Sequence, residues 1–505
     1  MKIRNHFIYG ITFFFILLFF VAVDFSYAIS SRVNQANLAV PTTVFSRKSN
    51  IIFIRTDDDV IDSLNIRQPN GKLVLQYVND LLAKRGTTFA NNYVSLSLCC
   101  PSRSTTLTGQ YAHNHHVLSN NAPTGGYTVF DPTNALPVWL TNAGYYNVHI
   151  GKYLNEYNGQ GIPPGWNEWY TSGIGGNEGA HYFNYTLNEN GTTVSYGSNE
   201  RDYATDVYTH KAVNFIKQQP NGNSPFFLQV DYTSPHNPGP ILGWSGGPVP
   251  APRHLGIMSQ YTPTFPPSFN EIDVSDKPQN IQNLASLTQT QTDGIITFER
   301  HRLEALMSVD EGVRDIVGAL AQKGELANTY IVFTSDNGIE QGQHRIPQGK
   351  EQVYEESNKQ YLIIRGPDVA PGAVRNEFVA NIDLAPTFAD WAHATPLLVQ
   401  DGHSLVPLLT NTATSWRQGI LLETFENPFY KAIRTPDYMY AEYDYNHDGI
   451  PDEKELYNFV PDSCRATADP YELDSQHANP CYAQLIVRLH QQLAVLETCA
   501  GATCQ

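Results

Sequence analysis

Ile51-Ile52-Phe53-Ile54 runs straight into Thr56-Asp57-Asp58, an apolar strand that ends in two carboxylates. Three more stretches repeat the design. Tyr146-Asn147-Val148-His149-Ile150 runs into Gly151-Lys152, and Phe226-Phe227-Leu228-Gln229-Val230 leads to Pro235-His236. Ile331-Val332-Phe333-Thr334 leads to Ser335-Asp336-Asn337. Amphipathic helix patterns fall between them, over Leu73–Leu82, Val207–Ile216 and Leu303–Leu320. Strands alternating with helices predict an α/β sandwich, a mostly parallel central sheet covered by helices. In such sheets ligands bind beyond the carboxyl ends of the strands. Asp57, Asp58, Lys152, His236, Asp336 and Asn337 are therefore expected to converge, although a single charged residue at a strand end is commonplace.

The 505 residues suggest one large domain plus one or two smaller units, at roughly 150 residues per domain. With 41% hydrophobic residues, 29 Tyr and 24 Phe, the chain can bury a large core, which excludes disorder and coiled coils. Acids outnumber bases 49 to 32, for a net charge of −17, so nucleic acid and anionic lipid are excluded as nonspecific partners. An anionic substrate still fits if cations gather in a pocket. Pro- and Gly-rich residues 237–278 lack periodicity and are expected to line the site entrance. After about Pro396 come short Tyr-rich strands (438–445 and 455–460) and a helix over 482–497, which predict a smaller α+β domain. The expected boundaries are 45–395 for the main domain and 396–505 for the smaller one.

The first residues read as a signal peptide, 1–28: a basic MKIRNH, an apolar run from Phe7 to Val23, then Ser26-Tyr27-Ala28. A membrane anchor competes with that reading, but the small-residue ending favours cleavage after Ala28. The mature protein is then exported, to a periplasm, the exterior or a lysosomal or other lumen, with no stable membrane insertion. In an oxidising compartment Cys464, Cys481, Cys499 and Cys504 form two disulfides. Proximity favours Cys499–Cys504 and Cys464–Cys481 among three connectivities. Asn184-Tyr185-Thr186 and Asn190-Gly191-Thr192 are glycosylation sequons, relevant only in a eukaryotic secretory route.

Cys99 and Cys100 remain. They open Cys99-Cys100-Pro101-Ser102-Arg103-Ser104-Thr105-Thr106-Leu107-Thr108-Gly109, in which Ser102 is expected to cap a helix and Gly109 to end it. Cys99 would precede that helix N-terminus, where the dipole favours negative charge, with Arg103 one turn in.

The pattern C-x-P-S-R-x-x-x-L-T-G resembles the signature of type I sulfatases, whose first cysteine is oxidised to formylglycine. The resemblance extends to Thr56-Asp57-Asp58, Gly151–Tyr157, Thr334–Gly338 and Arg365-Gly366-Pro367. Within the family the likeness is to N-acetylglucosamine-6-sulfatases and arylsulfatases, supported by Tyr111–Val117 and the Cys499–Cys504 tail. It implies an alkaline-phosphatase-like fold and hydrolysis of a sulfated sugar or aryl sulfate. It implies formylglycine at Cys99, made by a formylglycine-generating or other sulfatase-modifying enzyme. Its aldehyde hydrate has one hydroxyl to attack sulfur and a second to expel sulfate, an exit serine lacks. Asp57, Asp58, Asp336, Asn337 and residue 99 would hold a divalent cation, Ca2+ or Mg2+, since the ligands are hard oxygens. Arg103 would stabilise the hydrate, Lys152 and Lys350 hold the sulfate, and His236 protonate the leaving oxygen or bind sulfate beside it.

Leu154 stands where many sulfatases carry histidine, a leucine shared by the glucosamine-sulfatase subgroup, and the block around Glu340 departs from its relatives. His113, His115 and His116 fit a sugar subsite or helix-end packing equally. Asp444, Asn446, Asp448 and Glu455 match the spacing of a calcium loop, D-x-[DN]-x-[DN]-G-x5-E, for which a solvated polar hairpin is the alternative. Two other functions stay open: a phosphonate or phosphodiester hydrolase on the same fold, and a silent binding protein if Cys99 stays a thiol.

Overall fold

The computed structural model describes residues 47–159, 161–173, 182–218, 222, 224–239 and 247–504. The signal peptide read over 1–28 lies outside them, as do residues 240–246 of the predicted entrance loop. Residues 47–505 form one compact unit.

Ten strands make the main sheet: β1 (Asn50–Thr56), β2 (Thr87–Tyr93), β3 (Tyr146–Gly151), β4 (Glu168–Ser172), β5 (Tyr185–Glu189), β6 (Thr192–Tyr196), β7 (Phe226–Asp231), β8 (Thr329–Ser335), β9 (Lys359–Arg365) and β10 (Ala373–Ala380). Their order is β10-β2-β9-β8-β1-β7-β3-β4-β5-β6. The centre, β8-β1-β7-β3-β4, is wholly parallel, and antiparallel pairings appear on its flanks. The four strands read from the sequence are thus four neighbours, β8, β1, β7 and β3.

Because side chains alternate along a strand, a strand buried on both faces needs apolar residues at every position. Ile52 and Ile54 join Leu228, Val230, Ile331 and Phe333 on one face, beneath the helices Ala204–Gln218 and Gln289–Lys323. Ile51 and Phe53 join Phe227 and Val332 on the other, against the helices Cys99–Thr108, Leu136–Asn142 and Leu384–Ala392.

The C-terminal region adds an antiparallel sheet in the order β11 (Ile420–Glu423), β12 (Tyr430–Arg434), β13 (Tyr438–Tyr443), β14 (Glu453–Asn458), followed by the helix Ala483–Leu496. Its core contains Tyr354 and Phe378 from the main sheet's side. The disulfides are Cys464–Cys481 and Cys499–Cys504, as proximity favoured, and Cys99 and Cys100 are free and buried.

Two local expectations need correction. The stretch Leu73–Leu82 is not an α-helix: Val78–Leu82 is a π-turn followed by the 3-10 turn Ala83–Arg85. Asp310 accepts the N–H groups of Tyr77 and Val78, which satisfies the start of the turn from outside and removes the need for a longer helix. The helix after the cysteines begins at Cys99 itself, with Leu98 as its cap, so Ser102 is an interior residue. Gly109 does end it, at φ 73°, where a side chain would press on Gln400 and Pro386.

Candidate active site

Backbone pairing continues past the strand ends and brings the polar tips together. Asp57 N–H donates to the Ser234 carbonyl at 3.3 Å, Asp336 N–H to Thr56 at 3.2 Å and Lys152 N–H to Asp231 at 3.0 Å. Gly151, at φ 106°, lets β3 lie close to β7: a Cβ there would stand 1.9 Å from the Asp231 carbonyl oxygen. Asp58 itself adopts φ 57°, a left-handed conformation uncommon for a residue with a side chain. Its N–H is held by Asp336 Oδ1 at 3.1 Å.

Cys99 sits in the first turn of its helix, 1% exposed, at the centre of these tips. Its Sγ marks where the hydrate oxygens of a formylglycine would lie. Asp57 Oδ1 is 3.6 Å away and Asp58 Oδ1 4.0 Å. Lys350 Nζ stands 3.1 Å from the sulfur and 2.7 Å from Asp58 Oδ1. Lys152 Nζ stands 3.5 Å from the sulfur and 2.5 Å from Asp57 Oδ2. His236 Nε2 lies 3.4 Å from Asp58 Oδ2, with its ring 21% exposed. The structure therefore brings together every residue expected at the strand ends, and Lys350 with them.

Arg103 lies in the same cluster, buried beneath Cys99. Its guanidinium bridges carboxylates: Nε donates to Asp336 Oδ2 at 2.9 Å, and Nη2 lies 2.8 Å from Asp336 Oδ2 and 3.5 Å from Asp57 Oδ2. Nη1 donates to the Lys152 carbonyl at 2.8 Å, which fixes the backbone beneath that lysine. Arg103 touches the thiol's neighbours and positions them.

Burial raises the Asp57 carboxyl, but Lys152, then His236 and Arg103, outweigh it and hold the group at about 2. Burial likewise raises Asp58, and Lys350 and His236 bring it below its ordinary value. Burial would discharge both lysines, yet Asp57 and Asp58 respectively keep them charged above the usual range. The thiol moves the other way: burial pushes Cys99 up to about 12, more than the two lysines can offset. An unmodified Cys99 is thus a neutral thiol and a poor nucleophile. Burial lowers the His236 ring, and Asp57 and Asp58 pull it back towards the charged form.

The donor set suits a hard divalent cation. Asp57, Asp58, Cys99 and His236 each offer an atom within 4.8 Å of the others. Asn337 Nδ2 donates to Asp58 Oδ1 at 2.6 Å, which leaves Asn337 Oδ1 buried and without a hydrogen-bond partner. A bare buried amide oxygen beside two ionised carboxylates is a cation ligand in waiting. Asp336 has both oxygens engaged by donors, but a carboxylate has lone pairs to spare.

Sequence reading missed a buried tier below. Asp231 ends β7, and Arg55 grips it at 2.9 and 2.8 Å while His149 Nε2 lies 3.2 Å away. An acid just after Phe226–Val230, matching Asp57 and Asp336 on neighbouring strands, was the available signal. The histidines make helix-end contacts: His113 bridges Glu423 and the Cys499 carbonyl, His115 bonds Thr105, and His116 caps the short helix Ala112–His115. Leu154 is buried in the core. Glu340 is buried and accepts from Ser357 Oγ at 2.6 Å.

The predicted calcium loop is also corrected at its last position. Glu455 lies within β14, fully buried, and accepts hydrogen bonds from the hydroxyls of Tyr354, Tyr443 and Tyr457. Asp444 instead closes its own turn by accepting the N–H groups of Asp448 and Gly449.

A family model described as Sulfatase matches residues 49–394, and one described as N-sulphoglucosamine sulphohydrolase, C-terminal, matches 342–498. The N-acetylglucosamine-6-sulfatase of Capra hircus is 31% identical over 509 residues, covering 91% of this chain and 85% of that protein. An extracellular sulfatase Sulf-1 homolog of Caenorhabditis elegans is 33% identical over 399 residues, 76% of this chain but only 54% of the relative's own length. The solved structure of BT4656 in complex with its substrate D-glucosamine-2-N,6-O-disulfate superposes with TM-score 0.70 at 25% identity, covering 88% of this chain and 97% of that one.

Proposed function

The chain is a sulfuric ester hydrolase of the sulfatase family, and from that premise we propose that it cleaves a sulfate ester of a glucosamine-containing sugar at Cys99. One observation carries the reading. Cys99, the first residue of its helix, lies within 3.5 Å of two ammonium groups and beside two carboxylates held ionised. Converted to formylglycine, residue 99 would supply a geminal diol as nucleophile, and a divalent ion, Ca2+ or Mg2+, on Asp57, Asp58, Asp336 and Asn337 would polarise a sulfate oxygen.

The chain's own groups do the rest. Lys152 and Lys350 flank residue 99 from opposite carboxylates and bind a sulfate delivered to it. His236 stands at the open side, where it bonds the ester oxygen and gives the leaving alcohol its proton. Arg103 bridges Asp57 and Asp336 and holds both carboxylates in place. Burial around residue 99 excludes bulk water, which strengthens each of these contacts. The names of the goat relative and of the BT4656 ligand support the 6-O-sulfate of glucosamine as the bond cut. We assign catalysis to a domain over 45–395, with 396–505 as its smaller companion, in an exported protein.

Turnover of glucosamine 6-sulfate, an aryl sulfate and the matched phosphate and phosphonate esters tests this. The sugar sulfate is expected to react fastest by kcat/KM, and the reaction to vanish in Cys99→Ala. A phosphonate or phosphate ester reacting faster than both sulfates overturns the proposal, as does a protein that binds the sugar without turnover.

A further inference from the structure

A second group of metal-ligating side chains lies apart from Cys99. His344, Glu356 and Glu472 each offer one atom within 4.8 Å of the others. They come from distant stretches: the loop after β8, the short helix Glu355–Asn358, and the segment following β14.

Each presents a buried atom with nothing bonded to it. His344 is 0% exposed and Glu472 1%, and His344 Nε2, Glu356 Oε2 and Glu472 Oε1 all lack a hydrogen-bond partner. The opposite atom of each is engaged. His344 Nδ1 faces Glu271 Oε2 at 2.7 Å, Glu356 Oε1 faces Ser268 Oγ at 3.5 Å, and Glu472 Oε2 accepts the Glu355 N–H at 3.1 Å. With Nδ1 donating to Glu271, Nε2 is left with a bare lone pair. A carboxylate orienting the far nitrogen is the usual support of a metal-bound histidine. Leaving three such atoms unpaired in the interior is costly unless something occupies the space between them.

Charge balance fits as well. Lys277 Nζ lies 3.5 Å from Glu271 and 3.6 Å from Asp276 and donates to the Glu472 carbonyl at 2.6 Å, so three cations, Lys277, Arg434 and Lys359, face three acids, Glu271, Asp276 and Glu355. Arg434 and Lys359 pair with Glu355. Glu356 and Glu472 remain, two carboxylates that match one divalent ion. Glu356 also lines a cleft of about 660 Å³ with Gln341, Gln343, Phe265 and Tyr471, which supplies an access path and room for water ligands.

We propose that His344 Nε2, Glu356 Oε2 and Glu472 Oε1 form a second metal centre for zinc, tying the C-terminal segment to the loop that carries Lys350. The imidazole selects a first-row transition ion over calcium, and one nitrogen with two carboxylate oxygens and water suits zinc.

The test uses the full chain, stripped with chelator, held in saturating calcium, loaded with zinc chloride and desalted. The wild type should retain about one zinc more per chain than Glu472→Gln or His344→Gln, and zinc should raise its melting temperature by roughly 3 °C. Cobalt(II) loaded the same way should give visible absorption bands that both variants lose. If either variant fails to fold, Glu356→Gln, at the cleft wall, replaces it. Equal zinc in wild type and variants means binding at Cys99 or on the surface and overturns the proposal, and so does a wild type that retains none. Metal content and melting are read without substrate, so their failure leaves the sulfatase reading untouched.

Discussion

Two sets of acidic residues read as cation sites, and the fold treats them differently. Asp57-Asp58 and Asp336-Asn337 are 278 residues apart, yet Asp58 N–H and Asp336 Oδ1 meet at 3.1 Å. Asp444 and Glu455 are close in sequence, yet the hairpin pairs Tyr443 with Glu453 and Ala441 with Glu455, which carries Glu455 into a tyrosine-lined interior. A motif that counts residues says where ligands would be if the backbone followed that motif's own loop. Strand ends in a parallel sheet converge whatever the intervening sequence does. The first kind of signal depends on local conformation, the second on topology.

That contrast can be broken at either end. The largest effect is expected at Arg103. Arg103→Met leaves Asp57 and Asp336 buried without their shared cation and should cost about 3–5 kcal/mol in denaturant unfolding. A loss under about 1 kcal/mol would mean that the lysines alone stabilise the carboxylates. Next is Glu455→Leu, which strands three tyrosine hydroxyls and should cost about 2–3 kcal/mol, with or without calcium. A loss seen only in calcium would return Glu455 to a metal site.

Two buried acids sharpen the comparison through pH. Asp57 is held at about 2, below its ordinary 3.8, so its pairing is fully present above about pH 4 and is lost as pH falls towards 2. Glu340 is pushed up by burial to about 8 from 4.5, so its contribution is present below pH 4.5 and lost as pH rises through 8. Melting of the wild type from pH 5 to 8 should therefore show a decline that Glu340→Gln lessens, with Glu271, Glu351, Glu356 and Asp310, also raised by burial, carrying the rest, and an unchanged slope would mean that Glu340 takes no part. The smallest effect is expected at Asp448. Asp448→Ala should shift stability by less than about 0.5 kcal/mol and leave any calcium-dependent melting shift as it was.

What the sequence revealed follows the same division. Strands such as Ile51–Ile54 and Ile331–Phe333 were legible because burial on both faces demands unbroken apolar runs, and their polar tips were legible because four strands end alike, where any one alone is commonplace. Lys350 was legible only through family resemblance, since it sits in a loop without periodicity. Asp231 left a signal at the end of its strand, but its partners Arg55 and His149 left none, because an ion pair between neighbouring strands has no local pattern. Leu73–Leu82 misled because its start is satisfied by Asp310, 232 residues from Val78. The Ser102 cap misled because Leu98 already takes the extended conformation at the helix start, where no side-chain oxygen bonds the first turn.

The central claim is that residue 99 is the reacting group, and the mass of the tryptic peptide Gly86–Arg103 from active protein tests it most directly. The account predicts an aldehyde at position 99, lighter than cysteine by two hydrogens and by the difference between a sulfur and an oxygen atom, with Cys100 unchanged. A protein that turns over sulfate esters with an intact thiol at 99 would contradict it.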